Sequence, residues 1–242
     1  MKTHAILLAG GSSNRFSDEE NKVYFPIGRR PALCWPLETL EKSDFIDSIV
    51  LVIREEDWDK TNNVIELVDP KKLIGVTVGG DSRHESEYEG LNYLKESKRV
   101  EERDMILIHD GARPFLPEHL IKELINVAIK YGASAPGFDS INLSQKENSG
   151  ITQEDETIIE VQTPQVFPAK ELWESYELAK LDNWQAVDTT ECVSKYLGME
   201  AMIIPGDPRN MKVTYIEDIF ELEKLIEAVS NTHLTLPTNR EV

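Results

Sequence analysis

Apolar runs of strand length alternate along this chain with amphipathic stretches of helical period, and that alternation limits the possible fold more than any other feature. Ala5–Leu8, Ser48–Ile53, Gly75–Val78, Met105–His109 and Ala133–Pro136 read as strands. Their near-continuous apolar character is that of strands covered on both faces. Between them, Pro31–Leu40 is predicted as a helix with Pro31 at its first position. Ser82–Leu94 opens on the capping box Ser82-x-x-Glu85. Pro117–Tyr131 sets Leu120, Leu124 and Val127 on one face and stops before Gly132. Strand–helix alternation implies right-handed βαβ units and a mainly parallel sheet, hence a Rossmann-like three-layer α/β/α architecture.

The pattern breaks over about 137–162, where Ser, Asn, Gln, Glu and Gly dominate and only Ile158–Val161 reads as a strand. A polar stretch of this length predicts a protruding β-arm that rejoins the body at Thr163-Pro164-Gln165. Beyond it come a helix over Ala169–Leu181, one opened by Asp188 and running to Leu197, and a strand at Met202–Pro205. A last helix is expected from the box Thr214-x-x-Glu217, with Ile216, Ile219, Phe220, Ile226 and Val229 inward. Asn231–Val242 has no helical period and reads as a disordered or artefactual tail. The expectation is one domain over 1–230.

Ligands of open parallel sheets lie beyond the carboxyl ends of the strands. Three polar clusters fall there. After the first strand, Gly10 and Gly11 form an anion-binding nest, with Arg15 and Lys22 as cations for a polyphosphate. The dinucleotide fingerprint and the Walker loop are both excluded, since Ser12, Ser13 and Asn14 replace the needed glycines and no Gly-Lys-Ser/Thr occurs. Gly79-Gly80-Asp81-Ser82-Arg83 follows the third strand, and Asp110-Gly111-Ala112-Arg113 the fourth. Asp110 is placed to hold Mg²⁺ beside phosphates or, alternatively, to close an Asx-turn. Arg113 could grip a second phosphate or pair with a surface acid. Arg83 stands in a first helical turn, where the dipole disfavours a cation and a functional role gains weight. Asp188 is either a helix cap or a site residue. Lys212, among small and apolar neighbours, could neutralise charge developing in phosphoryl transfer.

Composition narrows the partners. A net charge of −18 over 242 residues argues against a nucleic-acid-binding face, so an anionic nucleotide must be drawn in by local cations and a divalent metal. No apolar run approaches the ~20 residues of a membrane span. Cys34 and Cys192 make no disulfide framework and read as reduced, half-buried thiols of a cytoplasmic protein.

Taken together, Leu8–Phe16 with Lys22, Gly79–Ser86, His109-Asp-Gly-Ala-Arg-Pro-Phe115, Thr163-Pro-Gln165 and Gly206–Thr214 resemble, in order and spacing, the 2-C-methyl-D-erythritol 4-phosphate cytidylyltransferases of the non-mevalonate isoprenoid pathway. The resemblance runs from about Ala5 to Val229. It implies a nucleotide-diphospho-sugar transferase type of fold, CTP and a polyol phosphate as substrates, Mg²⁺, and a homodimer joined through the arm. It further implies that Arg15 and Lys22 bind the triphosphate, with Lys212 completing the catalytic set. Gly80, Asp81, Arg83 and Ser86 would frame the nucleoside, joined by Ala9, Gly10, Gly11 and Ala112. Asp110 would hold the metal, and Arg113, Asp139, Ser140, Thr163 and Asp188 would face the acceptor alongside Lys212. Three departures fall on the acceptor side. The arm segment Gln153–Thr157 is acidic and carries no Arg, Ser140 replaces a usual Thr, and Val187 replaces another. They leave a second acceptor such as ribitol 5-phosphate as an alternative, and a non-catalytic nucleotide-binding protein as a further one.

Overall fold

The computed structural model describes residues 1–11, 21–140 and 158–233. Its centre is β1 (Thr3–Leu8), flanked in parallel by β4 (Ser48–Ile53) and β6 (Met105–Asp110), and every residue of these three strands is buried. β5 (Leu73–Val78) extends the sheet in parallel beyond β4. On the other side β9 (Gln165–Pro168) pairs antiparallel with β6. Beyond β9 come β7 (Ser134–Ser140) and β10 (Met202–Pro205), parallel to each other. β8 (Ile158–Val161) pairs antiparallel with β7, which gives this sheet eight strands among the described residues.

Two helical layers cover this sheet because successive strand residues point to opposite faces. Leu7, Leu51 and Leu107 pack with Leu37, Val64 and Leu124 of α1 (Cys34–Lys42), α2 (Trp58–Val68) and α4 (Glu118–Tyr131). Ile6, Val50 and Ile106 pack with Leu91, Tyr176 and Cys192 of α3 (Arg83–Glu96), α5 (Ala169–Leu181) and α6 (Thr189–Leu197). The predicted three-layer α/β/α arrangement is therefore present. A third, smaller cluster joins Ile27, Ala32 and Val213 to Ile219 and Leu222 of α7 (Glu217–His233). Ile27 comes from the short antiparallel pair β2 (Pro26–Ile27) and β3 (Arg30–Pro31).

Several local expectations need correction. Pro31 does not open α1 but sits in β3 opposite Pro26; the helix starts three residues later, after Leu33. The Thr214 box does not form, because Asp218 Oδ2 accepts the Thr214 and Tyr215 amides at 2.7 and 2.8 Å. Of the residues expected inward on α7, Ile219 is buried while Ile216 and Phe220 are exposed, and the side chains of Ile226 and Val229 lie outside the described set. Helix α7 continues through Asn231 to His233, where a tail without helical period is expected, and 234–242 lie outside the described residues. Both thiols are fully buried rather than half-buried, and burial pushes Cys192 up to about 12. The arm is described only at its root, where β7 and β8 pair, and 141–157 lie outside the described residues.

Candidate active site

The register of the central strands creates the site. Leu8 stands opposite both Val52 and Asp110, so three loops leave the sheet side by side. Ala9 N donates to Val52 O at 2.7 Å and Gly111 N to Leu8 O at 2.7 Å, zipping the loops together past the last strand residues. A side chain at Gly111 would put its Cβ 2.9 Å from Leu8 O, so only glycine permits that approach. Ala9 is itself fully buried, and its carbonyl accepts Asn21 Nδ2 at 2.8 Å. The same Nδ2 reaches Asp57 Oδ2 at 2.8 Å, while Asn21 Oδ1 caps the short 3-10 turn that begins with Lys22. Asn21 thus ties both ends of the glycine loop to the body. The sequence reading does not single out Asn21, whose place directly before Lys22 is its one visible signal.

The second loop is shaped by the capping box predicted for α3. Ser82 Oγ accepts the Glu85 amide at 3.1 Å, and Glu85 Oε2 accepts the Ser82 and Asp81 amides at 3.2 and 2.8 Å. A Cβ at Gly80 would lie 2.3 Å from that of Glu85, so the loop can fold back over its own helix only with glycine there. Ser86 Oγ donates to Gly80 O at 3.4 Å.

Asp110 ends β6 under these loops. Its Oδ2 accepts Lys212 Nζ at 2.6 Å and its Oδ1 Arg83 Nε at 3.3 Å. Burial alone would raise the Asp110 carboxyl, but Arg83, Lys212 and Arg113 outweigh it and hold it well below the usual carboxylate range. Lys212 arrives through the Val213 N to Ala112 O bond of 2.8 Å. One cleft is lined by Gly10, Gly11, Lys22, Asp81, Arg83, Ser86, Asp110, Ala112 and Lys212, together with Leu8, Asn21, Val23 and Ser82. It gathers three cations against two carboxylates in a chain of net charge −18, a local inversion suited to a polyphosphate.

The remaining predicted residues lie around this cleft. Arg113 is buried, and its Nη1 donates to Asn210 O at 2.8 Å. His109, directly before Asp110, is fully buried and held down to about 4 by burial, hence neutral. Its Nε2 lies 3.1 Å from Arg113 O, an acceptor only, so Nε2 carries the proton. The Thr163 hydroxyl then donates to His109 Nδ1 (3.2 Å) and accepts the Asp110 amide (3.1 Å), which fixes the acid's backbone. Asp188 caps α6, with Oδ1 accepting the Glu191 amide at 2.9 Å, and its Oδ2 faces Gln165 Nε2 at 3.4 Å. Gly80 opens onto a neighbouring groove between α3 and α5 rather than onto the cleft. Asp139 and Ser140 end β7 opposite Ile159 and Ile158. Arg15 lies outside the described residues.

Among the described residues no group of three His, Cys, Asp or Glu side chains could cage a metal. The donor set at the cleft is the single carboxylate of Asp110, both oxygens of which meet side-chain cations. One carboxylate beside phosphate oxygens is the kind of donor set that Mg²⁺ accepts, and Asp110 could serve it where a cation yields one of its oxygens.

Comparison with known proteins agrees with this geometry. The family model described as 2-C-methyl-D-erythritol 4-phosphate cytidylyltransferase matches residues 3–228. A protein of that name from Clostridium tetani (strain Massachusetts / E88) is 34% identical over 241 residues, covering 97% of this chain and 94% of the relative. One from Geobacillus kaustophilus (strain HTA426) is 31% identical over 229 residues, 93% of this chain and 97% of its own. A crystal structure of 4-diphosphocytidyl-2C-methyl-D-erythritol synthase from Anaerococcus prevotii DSM 20548 superposes with a TM-score of 0.73 at 26% identity, covering 93% of this chain and 96% of that one. A further structure of a synthase of that name gives a TM-score of 0.75 at 25% identity, with coverages of 93% and 98%. The chain belongs to the 2-C-methyl-D-erythritol 4-phosphate cytidylyltransferase family.

Proposed function

We propose that the protein transfers CMP from CTP to 2-C-methyl-D-erythritol 4-phosphate and releases pyrophosphate. The observation that carries this reading is the single cleft that brings Lys22, Asp110 and Lys212 together beside the glycine loop. An acceptor phosphate oxygen attacks the α-phosphorus of CTP in line. The new P–O bond forms as the bond to the β-phosphate bridging oxygen breaks, and pyrophosphate leaves with the electron pair. Positioning and charge stabilisation suffice for such a transfer, so no covalent enzyme intermediate is needed.

In this reading Gly10 and Gly11 offer backbone amides to the phosphates, with Arg15 and Lys22 binding their charge. Asp81, Arg83, Ser86 and Ala112 frame the nucleoside, while Ala9 and Gly80 shape the loops that carry them. Lys212 turns from Asp110 toward the negative charge that builds at the α-phosphorus. Asp110 holds Mg²⁺, which when bound neutralises charge on the triphosphate. Arg113, Asp139, Ser140, Thr163 and Asp188 form the acceptor side. Two copies join through the arm into a homodimer, a pairing that light scattering tests. Two buried, free thiols suit a reducing compartment, and the cytoplasm is the proposed location.

The acidic segment Gln153–Thr157, which departs from the Arg-bearing arm that the resemblance implies, keeps ribitol 5-phosphate as the alternative acceptor. Pyrophosphate release with CTP, Mg²⁺ and either 2-C-methyl-D-erythritol 4-phosphate or ribitol 5-phosphate separates the two. Faster turnover of the methylerythritol phosphate is expected, and faster turnover of ribitol 5-phosphate overturns that choice.

A further inference from the structure

Arg83 does not form a two-pronged pair with any acid. Its Nε donates to Asp110 Oδ1 at 3.3 Å, its Nη1 to Val187 O at 3.3 Å, and its Nη2 lies 3.0 Å from Glu87 Oε1. Glu87 follows one helical turn later on α3 and has no solvent exposure. Three elements close around its carboxylate. Thr189 Oγ1 of α6 donates to Oε1 at 2.9 Å, the Tyr176 hydroxyl of α5 donates to Oε2, and the Arg83 guanidinium completes the shell. A charge relay of alternating sign results, running Glu87, Arg83, Asp110, Lys212 from the interior out to the cleft.

A carboxylate in this place is costly. Burying a paired charge often stabilises less than an apolar residue of the same volume would, and burial pushes the Glu87 carboxyl up against the pull of Arg83 and the two hydroxyls. Packing therefore does not account for it. Geometry does. A guanidinium is a planar fork that favours both oxygens of one carboxylate. Released from Glu87, Arg83 could rotate to chelate Asp110 and take the Oδ2 that Lys212 now holds at 2.6 Å.

We propose that Glu87 is a positioning residue that divides Arg83 between two acids and so keeps Asp110 Oδ2 available to the cations of the cleft. The assignment rests on the reading of this cleft as a nucleotide-transfer site. It extends that site inward to Glu87, Thr189 and Tyr176, which do not line the cleft.

The test compares the parent, E87Q and E87Q/T189E by thermal melting, by calorimetric binding of CTP with Mg²⁺, and by steady-state turnover. E87Q keeps the shape but loses the charge, and T189E returns a carboxylate from α6, whose hydroxyl already lies 2.9 Å from the oxygen being replaced. E87Q is expected to weaken CTP binding per folded molecule about tenfold, the scale typical of an outer-shell partner, with the acceptor KM within twofold. E87Q/T189E is expected to recover most of that loss. CTP affinity in E87Q within twofold of the parent's, or a loss that T189E leaves uncorrected, overturns the assignment. If E87Q fails to fold, the double variant carries the test, and CTP affinity per folded molecule tenfold below the parent's overturns it. A parent that binds CTP but releases no pyrophosphate with any acceptor defeats the functional reading instead, and the binding series still reports on Glu87.

Discussion

Strands β1 and β6 carry a buried carboxylate at each end of their pairing, and the two ends are built differently. At the amino end Asp104 accepts the backbone amides of Lys2 and Glu101 at 2.8 and 2.9 Å, and Asp47 accepts that of Thr3 at 2.8 Å. At the carboxyl end Asp110 is met by the side chains of Arg83 and Lys212. Both acids sit below their ordinary range, Asp104 because backbone donors overcome burial and Asp110 because cations do. Backbone donors cannot leave without shifting the chain that leads into the strands. A lysine ammonium can exchange a carboxylate oxygen for a phosphate oxygen by rotating its own side chain. One end is a lock and the other a set of exchangeable contacts, though the same two strands position both.

The largest effect that could break this contrast is catalytic. Lys212→Ala is expected to lower kcat by about 10²–10³, the scale of one lost charge-stabilising donor, with CTP affinity little changed by calorimetry. Near-normal turnover would remove Lys212 from the chemistry. Asp104→Ala is expected to do the reverse, costing about 3 kcal/mol in urea denaturation through two lost charge-assisted bonds, with kcat per folded molecule intact. A kcat that fell with it would show that the ends are not separable. Ser82→Ala sharpens the picture on the nucleotide side. Loss of the cap should cost about 1 kcal/mol and, by loosening the Asp81 loop, raise the KM for CTP more than that for the acceptor.

The shallowest effect is a pH dependence at the amino end. Burial lowers the His4 pKa below 6.5, against the pull of Asp104 at 3.5 Å. Below pH 6.5 the unfolded chain therefore binds a proton that the folded one resists, so stability present above that pH is lost as pH falls. Melting between pH 8 and 5 should show this decline, and His4→Gln should flatten it. An unchanged slope in that variant would assign the decline to other groups.

Much of this arrangement was legible in the sequence because it follows from short-range rules. Ser48–Ile53, Ala169–Leu181 and Met202–Pro205 were placed at their observed bounds, and the Ser82–Glu85 box formed as read. The cleft followed from the rule that ligands lie at strand carboxyl ends, which brings Lys22, Asp110 and Lys212 together. What escaped depends on tertiary context. The sequence marks Thr163-Pro164-Gln165 only as the point where the chain rejoins the body, since Gln165–Pro168 becomes strand β9 by entering between β6 and β7. Helix α2 is hard to read because polar Thr61 is one of its two buried positions, with Val64 the other, while apolar Leu67 is exposed. Glu87 stands between Glu85 and Glu89 on a helix that reads as amphipathic, and the approach of α5 and α6 is what buries it.

The pairing of β7 with β8 sets Ser140 directly opposite Ile158. The chain therefore leaves the body and comes back at adjacent points of one antiparallel ladder. A two-residue hairpin turn could join those points without altering the register of any other strand. The length and charge of the segment between them can therefore differ without altering the register of the body's strands. An acidic Gln153–Thr157 is the kind of variation such an insertion point tolerates.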